Sequence, residues 1–223
     1  AMAFALWLHL GTAIAACVYL RVEVVEVLTE AIRVPRTPSP LLRFTFLSVL
    51  SSLTIGLPLL LTLSELSTLG GSVAMVGIGA LMVMTGSFQF RRRAAVERGR
   101  AELTVVDALV TGVAQGLAVL PGLSRSGLTV GFLLARNVER REALTLSFLI
   151  GIPASVGAAV FVGLDSGLAI TWEGAIGALV AAATGLLTIK ALMLVASRVH
   201  FGLFVILVGS AIILGSVWQL VFA

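Results

Sequence analysis

Charged residues are scarce in this sequence, and their scarcity decides the class of protein. Asp, Glu, Lys and Arg make up 12% of the 223 residues, whereas a soluble domain carries about 25%. The mean hydropathy is +1.11. These values exclude an ordinary soluble protein and indicate an integral membrane protein.

Cysteine, lysine and recognisable metal patterns are also scarce. The one cysteine, Cys17, lies in an apolar run, which excludes an intrachain disulfide. The sequence has no Cys/His metal spacing, no Walker loop and no G-x-S-x-G element. Lys190 is the only lysine among fifteen basic residues. Because the arginines lie in short loops between apolar runs, they serve topology and contact with anionic lipid headgroups, and we expect no nucleic-acid partner.

Long apolar runs are what the sequence has in abundance. A helix needs about 20 apolar residues to cross roughly 30 Å of hydrocarbon. Six runs approach or exceed that length, at about 4–20, 42–63, 72–90, 144–164, 174–196 and 202–222. The sequence therefore predicts about six transmembrane helices in a multi-pass protein.

The basic residues are confined to one class of loop. Fourteen of the fifteen lie in four loops, at 21–43, 91–103, 136–142 and 190–200. The positive-inside rule places these loops in the cytoplasm, and the loops at 64–71 and 165–173, together with both chain ends, outside. Within the loop 21–43, three glutamates recur at helical spacing and indicate a solvated face: Glu23, Glu26 and Glu30.

The segment 104–135 leaves one basic loop and returns to another, so it crosses the membrane twice or not at all. Its arms, about 105–120 and 127–135, are separated by Pro-Gly and Ser-Gly signals. The second arm has less than half the length of a span. We therefore predict a re-entrant hairpin whose tip lies near mid-membrane, where irregular backbone must be buried in protein or line a wet cavity.

Three spans, a hairpin and three further spans predict an all-α polytopic membrane protein with an inverted-topology repeat. A single integral membrane domain would cover 1–223, with the first repeat's spans in 1–103 and the second repeat in 104–223. If each repeat consists of a hairpin and three spans, the first hairpin is missing, and we expect it before Ala1.

The hairpin tip, PGLSRSG at 121–127, contains Arg125, the one basic residue outside the basic loops. An arginine at membrane depth costs about 3 kcal/mol, so its presence indicates an anionic ligand. A helix starting at Ser126 and Gly127 would direct free N–H groups and the positive end of its dipole toward an anion, and Gly122 permits an anion-binding nest.

Hydroxyl and amide groups surround this arginine in the sequence. Ser124, Ser126 and Thr129 can donate hydrogen bonds to phosphate, and a serine is also a candidate nucleophile if a base lies near. Gln115 either hydrogen-bonds across the bundle or contacts the ligand. The alternative for Arg125 is a helix–helix turn in which it snorkels or pairs with a buried acid. For Asp107 we expect a helix-start or interfacial role.

Three stretches resemble a known family: DALVTGVAQGLA at 107–118, PGLSRSGLTVG at 121–131 and REALTLSFLIGIPA at 141–154. They are similar to the undecaprenyl-diphosphate phosphatases of the bacitracin-resistance type, and the run HLGTAIAACVYLR at 9–21 resembles the span that follows that family's first motif. The resemblance extends over nearly the whole chain. It implies an inverted repeat with two re-entrant hairpins, in a multi-pass protein of the cell membrane.

The resemblance also implies an activity. The substrate would be a C55 polyprenyl diphosphate, hydrolysed to the monophosphate and phosphate, which recycles the lipid carrier for peptidoglycan and other cell-wall glycans and confers bacitracin resistance. Arg125, Ser124 and Ser126 would be catalytic, and four residues would bind substrate: Gly122, Gly127, Thr129 and Gln115. A divalent cation, Mg²⁺ or Ca²⁺, would assist.

The sequence departs from the family pattern at its start. The family's first motif, rich in glutamate and ending in serines and a histidine, has no counterpart, so its acid–base and metal-binding groups are expected before Ala1. His9 stands where the family usually has glutamine, and Val205 where arginine is common. Two alternatives to an active phosphatase stay open, a lipid-phosphate transporter or flippase and an inactive family member. The glycine-rich spans permit a homodimer.

Overall fold

The computed structural model describes residues 2–33, 36–66, 76–77, 79–80, 82–84, 86–87, 97–120, 125–166, 171–196 and 201–222. These parts of the chain are almost entirely helical. The helices defined from end to end in the described chain are α1 (Met2–Tyr19), α2 (Arg21–Arg33), α3 (Pro40–Leu66), α4 (Val105–Leu117), α5 (Arg125–Ala135), α6 (Arg140–Ser166), α7 (Trp172–Ala196) and α8 (Phe201–Phe222). A short 3-10 turn, Arg100–Glu102, precedes α4.

Three helices in the described chain are long and apolar enough to cross a membrane. They are Pro40–Thr62, Arg140–Val160 and Trp172–Leu194, with mean hydropathies of 2.0, 1.9 and 1.8. Shorter apolar stretches are Trp7–Tyr19 and the two helices α4 and α5. The prediction of an all-α polytopic membrane protein is therefore confirmed, whereas the total of six spans, and the division of 1–223 into repeats at 103, stay predictions.

The prediction of a loop at 21–43 is wrong over its first part, where α2 forms. The glutamates of α2 have partners, so their face is not simply solvated. Arg100 lies 3.4 Å from both Glu23 and Glu26, and the Glu30 carboxylate accepts hydrogen bonds from the backbone and hydroxyl of Ser39 at 2.6 and 2.5 Å. Helical spacing brings these acids onto one side of α2, where tertiary contacts retain the helix.

The hairpin predicted at 104–135 forms from α4 and α5. Their 13 and 11 residues correspond to about 20 and 17 Å of helix at 1.5 Å per residue, well short of roughly 30 Å of hydrocarbon. Its ends meet, because Asp107 in the first turn of α4 accepts a hydrogen bond from Arg136, just after α5, at 2.6 Å. The depth of its tip in a membrane stays a prediction.

Small residues allow α4 to lie directly against α3. A side chain at Gly112 would collide with the Ser48 carbonyl and lie 2.7 Å from the Ser51 Cβ atom. Ser48 and Ser51 donate hydrogen bonds to the carbonyls of Ala108 and Leu109 at 2.9 and 3.1 Å. Close backbone approach and interhelical serine bonds are typical of helix packing in membranes, and here they anchor one arm of the hairpin.

A reciprocal glycine contact joins the described part of 76–87 to α8. A Cβ atom on Gly79 would lie 2.7 Å from the Gly209 carbonyl oxygen and 3.1 Å from the Ile213 amide nitrogen. A Cβ atom on Gly209 would lie 2.8 Å from the Gly79 carbonyl oxygen and 3.0 Å from the Val83 amide nitrogen. Contacts of 79 with 213 and of 83 with 209 describe an antiparallel crossing. An inverted repeat predicts antiparallel third spans, but the third and sixth spans of any multi-pass chain run antiparallel, so the repeat stays a prediction.

Candidate functional site

Arg125 is the first residue of α5, and its side chain lies against α6. Its Nη1 donates hydrogen bonds to the Gly151 carbonyl oxygen at 2.9 Å and to the Ser155 hydroxyl at 3.2 Å. A Cβ atom on Gly151 would lie 2.8 Å from Nη2 and 3.0 Å from Cζ, so the guanidinium occupies the space that a side chain would take. Among the described residues Arg125 forms no ion pair, which removes the buried-acid alternative for that part of the chain.

Two polar side chains of the hairpin donate to carbonyls in the turn of α6 that precedes Pro153. Gln115 donates to the Ile150 carbonyl at 3.3 Å and Arg125 to the Gly151 carbonyl at 2.9 Å. A carbonyl oxygen has two lone pairs, so it can accept a side-chain hydrogen bond beside the bond within its helix. The same turn of α6 therefore holds both side chains.

Arg125 also lines a cavity of about 540 Å³ between α1, α6 and α7. The size falls within the range of about 300–1,000 Å³ that is usual for small-molecule sites. Most of the lining is apolar, including Leu8, Ala13, Phe148, Ile152, Ile189 and Leu192. Four hydroxyl residues add the polar part: Thr12, Ser155, Thr184 and Thr188. The cavity thus combines one cationic group with a largely apolar wall.

The threonines of the cavity present oxygen lone pairs and not hydrogens. Thr12 donates its hydroxyl hydrogen to the His9 carbonyl at 2.9 Å, and Thr184 and Thr188 donate to carbonyls of their own helix at 2.7 and 2.8 Å. Donors for an anion are therefore concentrated at Arg125. No described carboxylate lies near Arg125, so the residues around it do not by themselves supply the ligands that a divalent cation needs. Elsewhere in the described chain, no group of three acidic, histidine or cysteine side chains comes together. The divalent cation stays a prediction.

The other predicted site residues are distributed around the start of α5. Ser126 is exposed and Gly127 is partly buried, both in the first turn. Thr129 is fully buried, and its hydroxyl contacts the Arg125 carbonyl at 2.9 Å and the Ser147 hydroxyl at 2.6 Å. Gly122 and Ser124 lie outside the described residues. The catalytic and substrate-binding roles assigned to these residues stay predictions.

Gln115 makes the cross-bundle contact that the sequence suggested as one of two options. Its Nε2 donates to the Ser52 hydroxyl and the Ile150 carbonyl, both at 3.3 Å. Its Oε1 is buried and has no partner among the described residues. Gln115 therefore ties α4 to α3 and α6, and a ligand contact stays a prediction.

Asp107 acts at the base of the hairpin, in agreement with the helix-start role. Thr104 caps α4, and its backbone N–H and hydroxyl both donate to the Asp107 carboxylate at 2.8 Å, while Arg98 donates at 2.7 Å. Burial raises the pKa of Asp107, but the hydrogen bonds from Arg98, Arg136 and Thr104 outweigh it and hold the pKa well below its usual range. Asp107 is therefore ionised at neutral pH, and its carboxylate joins the two ends of the hairpin.

Three residues of α6 around Arg125 were missed as site residues by sequence reasoning: Ser147, Gly151 and Ser155. Their only signal in the sequence is their spacing around Pro153. Positions 147, 151 and 155 are four residues apart and therefore lie on one side of α6. The sequence does not indicate that α5 packs against that side.

Comparison with known proteins relates the whole chain to one family. The family model described as Bacitracin resistance protein BacA matches residues 1–217. A protein of Methanococcoides burtonii named Undecaprenyl-diphosphatase is 36% identical over 216 residues, covering 94% of this chain and 81% of that protein. Proteins of the same name from Haloarcula marismortui and Methanothrix thermoacetophila are 41% and 33% identical, covering 88% and 94% of this chain and 76% and 79% of theirs.

Proposed function

The chain belongs to the bacitracin resistance protein BacA family, and on that premise we propose that it hydrolyses undecaprenyl diphosphate, or a closely similar polyprenyl diphosphate, to the monophosphate and inorganic phosphate. Relatives that it matches over most of their length carry the name of that activity. The reaction would return the lipid carrier to cell-wall glycan synthesis. The site of action is accordingly proposed to be the cell membrane.

The single observation that carries this proposal is Arg125, an arginine without a carboxylate partner in the described chain, at a cavity with a mostly apolar wall. The substrate has the matching chemistry, since its diphosphate is anionic and its polyprenyl chain is apolar. An arginine fork is suited to two oxygens of one phosphate. An apolar wall beside it suits the isoprene units that follow the diphosphate.

The contacts of Arg125 leave part of its guanidinium available to bind phosphate oxygens. Nη1 donates to Gly151 and Ser155, so the N–H groups of Nε and Nη2 are the ones left available for a phosphate. In the reaction the oxygen of a water molecule attacks the terminal phosphorus, the bond to the bridging oxygen breaks, and that oxygen stays on the lipid monophosphate. Charge develops on the phosphoryl oxygens in the transition state, and fixed donors that face them lower the barrier.

Phosphate release by the purified full-length protein tests the proposal. Undecaprenyl or farnesyl diphosphate is the substrate, and we expect release that Arg125→Ala abolishes. Arg125→Lys keeps the charge but loses the fork, so we expect it to recover only a small part of the rate. Arg33→Ala is the matched control, because Arg33 is an exposed arginine at the end of α2.

Two results would contradict the proposal. Full phosphate release by Arg125→Ala would remove Arg125 from the site. Absence of release by the wild-type protein, combined with transfer of a lipid phosphate across proteoliposome membranes, would favour the transporter alternative.

A further inference from the structure

The structure places α6 against both ends of Arg125, its main chain and its guanidinium. We infer that Ser147 and Ser155 of α6 are positioning residues for Arg125, Ser147 acting on the main chain through Thr129 and Ser155 acting on the guanidinium. The inference rests on the proposed function in assigning Arg125 to the phosphate, but the contacts themselves do not depend on it.

The contact with the main chain is a directed series of hydrogen bonds. Thr129 has one hydroxyl hydrogen, and the Arg125 carbonyl lies 2.9 Å from its oxygen. The Ser147 hydroxyl lies 2.6 Å from the same oxygen. If Thr129 donated to Ser147, then the Ser147 hydrogen would have no acceptor among the described residues. The consistent direction is Ser147 to Thr129 to the Arg125 carbonyl.

Ser147 departs here from the usual behaviour of a buried helical serine. Such a serine commonly donates to a carbonyl one turn back in its own helix, as Ser216 does to the Ile212 carbonyl at 2.8 Å. Ser147 is buried and directs its hydroxyl across the interface to α5 instead. Hydrogen bonds in series within a buried site strengthen one another, so this contact specifies where the first turn of α5 lies.

The contact with the guanidinium fixes its rotation. The carbonyl of Gly151 and the hydroxyl of Ser155, one helical turn apart, both accept from Nη1. The missing side chain at Gly151 lets the guanidinium lie close to the helix. Because Nη1 is held by two hydrogen bonds, the N–H groups of Nε and Nη2 keep a fixed orientation. Ser155 also lines the cavity, so the held guanidinium stands at the cavity wall.

Position matters more than affinity for a group that stabilises a transition state. A displacement of about 1 Å can lower a rate by about 100-fold, while the apolar wall, which these serines do not form, contributes to binding of the lipid chain. Loss of either serine hydroxyl should therefore reduce kcat and leave KM nearly unchanged. A variant that only loosened the fold would instead lower the fraction of active protein and the melting temperature together.

The kinetic test uses Ser147→Ala, Ser155→Ala and Thr129→Val. We expect each to lower kcat by about 5- to 20-fold, the size of one lost hydrogen bond in a rate, with KM within about twofold. Thr129→Ser keeps the hydroxyl and should recover most of the rate. Because Ser147 acts through Thr129, Ser147→Ala combined with Thr129→Val should be no slower than Thr129→Val alone. Ser216→Ala is the control, since Ser216 is equally buried but bonded only within α8.

A second measurement does not depend on turnover. In protein labelled with ¹⁵N-arginine, the Arg125 Nε resonance is identified by its loss in Arg125→Lys. Ser147→Ala and Ser155→Ala should shift or broaden it, and Ser216→Ala should leave it in place. An unchanged resonance in both variants overturns the positioning role, even if the wild-type protein releases no phosphate. A changed resonance with no phosphate release by the wild type supports the positioning role and rejects the proposed function instead.

Discussion

The Nε atom of Arg136 lies 2.6 Å from a carboxylate oxygen of Asp107, and this ion pair joins the first residue after α5 to the first turn of α4. The carboxylate is completely buried, whereas Arg136 and Arg98, its second partner, are 38% and 22% exposed. Both arms of the hairpin therefore start from one fixed point. Arg125 lies at the other end of α5.

Removal of the Asp107 carboxylate should destabilise the protein. Asp107→Ala leaves the ends of α4 and α5 without their common acceptor, and Thr104 loses a partner as well. We expect a loss of about 1.5–3 kcal/mol, the value of a hydrogen-bonded charge, measured by thermal unfolding in detergent micelles. Glu26→Ala removes an acid that is 44% exposed and pairs with Arg100 at 3.4 Å, so it should change the melting temperature much less. Equal melting temperatures for the two variants would contradict this role.

Stability should fall in acid through the same group. The pKa of Asp107 is lower in the folded protein than the value of about 3.9 in an unfolded chain. The carboxylate therefore contributes its full stabilisation above about pH 4, and the contribution is lost as the pH falls below that value. The melting temperature of the wild type should drop between about pH 4 and pH 3 by more than that of Asp107→Asn. Parallel curves for the two proteins would remove Asp107 as the cause.

The glycine contact between α4 and α3 predicts a strong effect of one methyl group. Gly112→Ala places a Cβ atom against the Ser48 carbonyl, which belongs to the backbone and cannot turn away. Overpacking of this kind costs about 1–3 kcal/mol. Gly157→Ala is the matched control, because nothing lies within 4 Å of a Cβ atom at that position of α6, and alanine favours the helix. Melting curves of the two variants should move in opposite directions.

The distribution of basic loops predicts the orientation in the membrane. In a Cys17→Ala background, Thr37→Cys should react with a membrane-impermeant maleimide only after the cells are opened. Ser67→Cys, in the loop at 64–71 that is predicted to lie outside, should react in intact cells. Thr37 is exposed, so a lack of reaction there cannot be attributed to burial. The reverse pattern of labelling would invert the predicted topology and place the basic loops outside.

The sequence determined the class of this protein, its helical spans and its unusual arginine. Long apolar runs can satisfy their backbone groups in lipid only as helices, so composition and run length were sufficient for α3, α6 and α7. The hairpin followed from charge, since both its ends adjoin basic loops and its second arm is too short to cross. The helix α2 was missed because the partners of its glutamates lie outside it, Ser39 nine residues from Glu30 and Arg100 77 residues from Glu23.

Tertiary structure alone decided what surrounds Arg125. Whether its guanidinium would face an acid, a carbonyl or a cavity depends on which helix lies beside α5, and periodicity within one helix carries no such information. Gly151 and Ser155 are 26 and 30 residues away, and Ser147 reaches Arg125 only through Thr129. A lone arginine in apolar sequence indicates an anionic ligand. The packing of α5 on α6 determines the direction from which such a ligand can reach the N–H groups of Nε and Nη2.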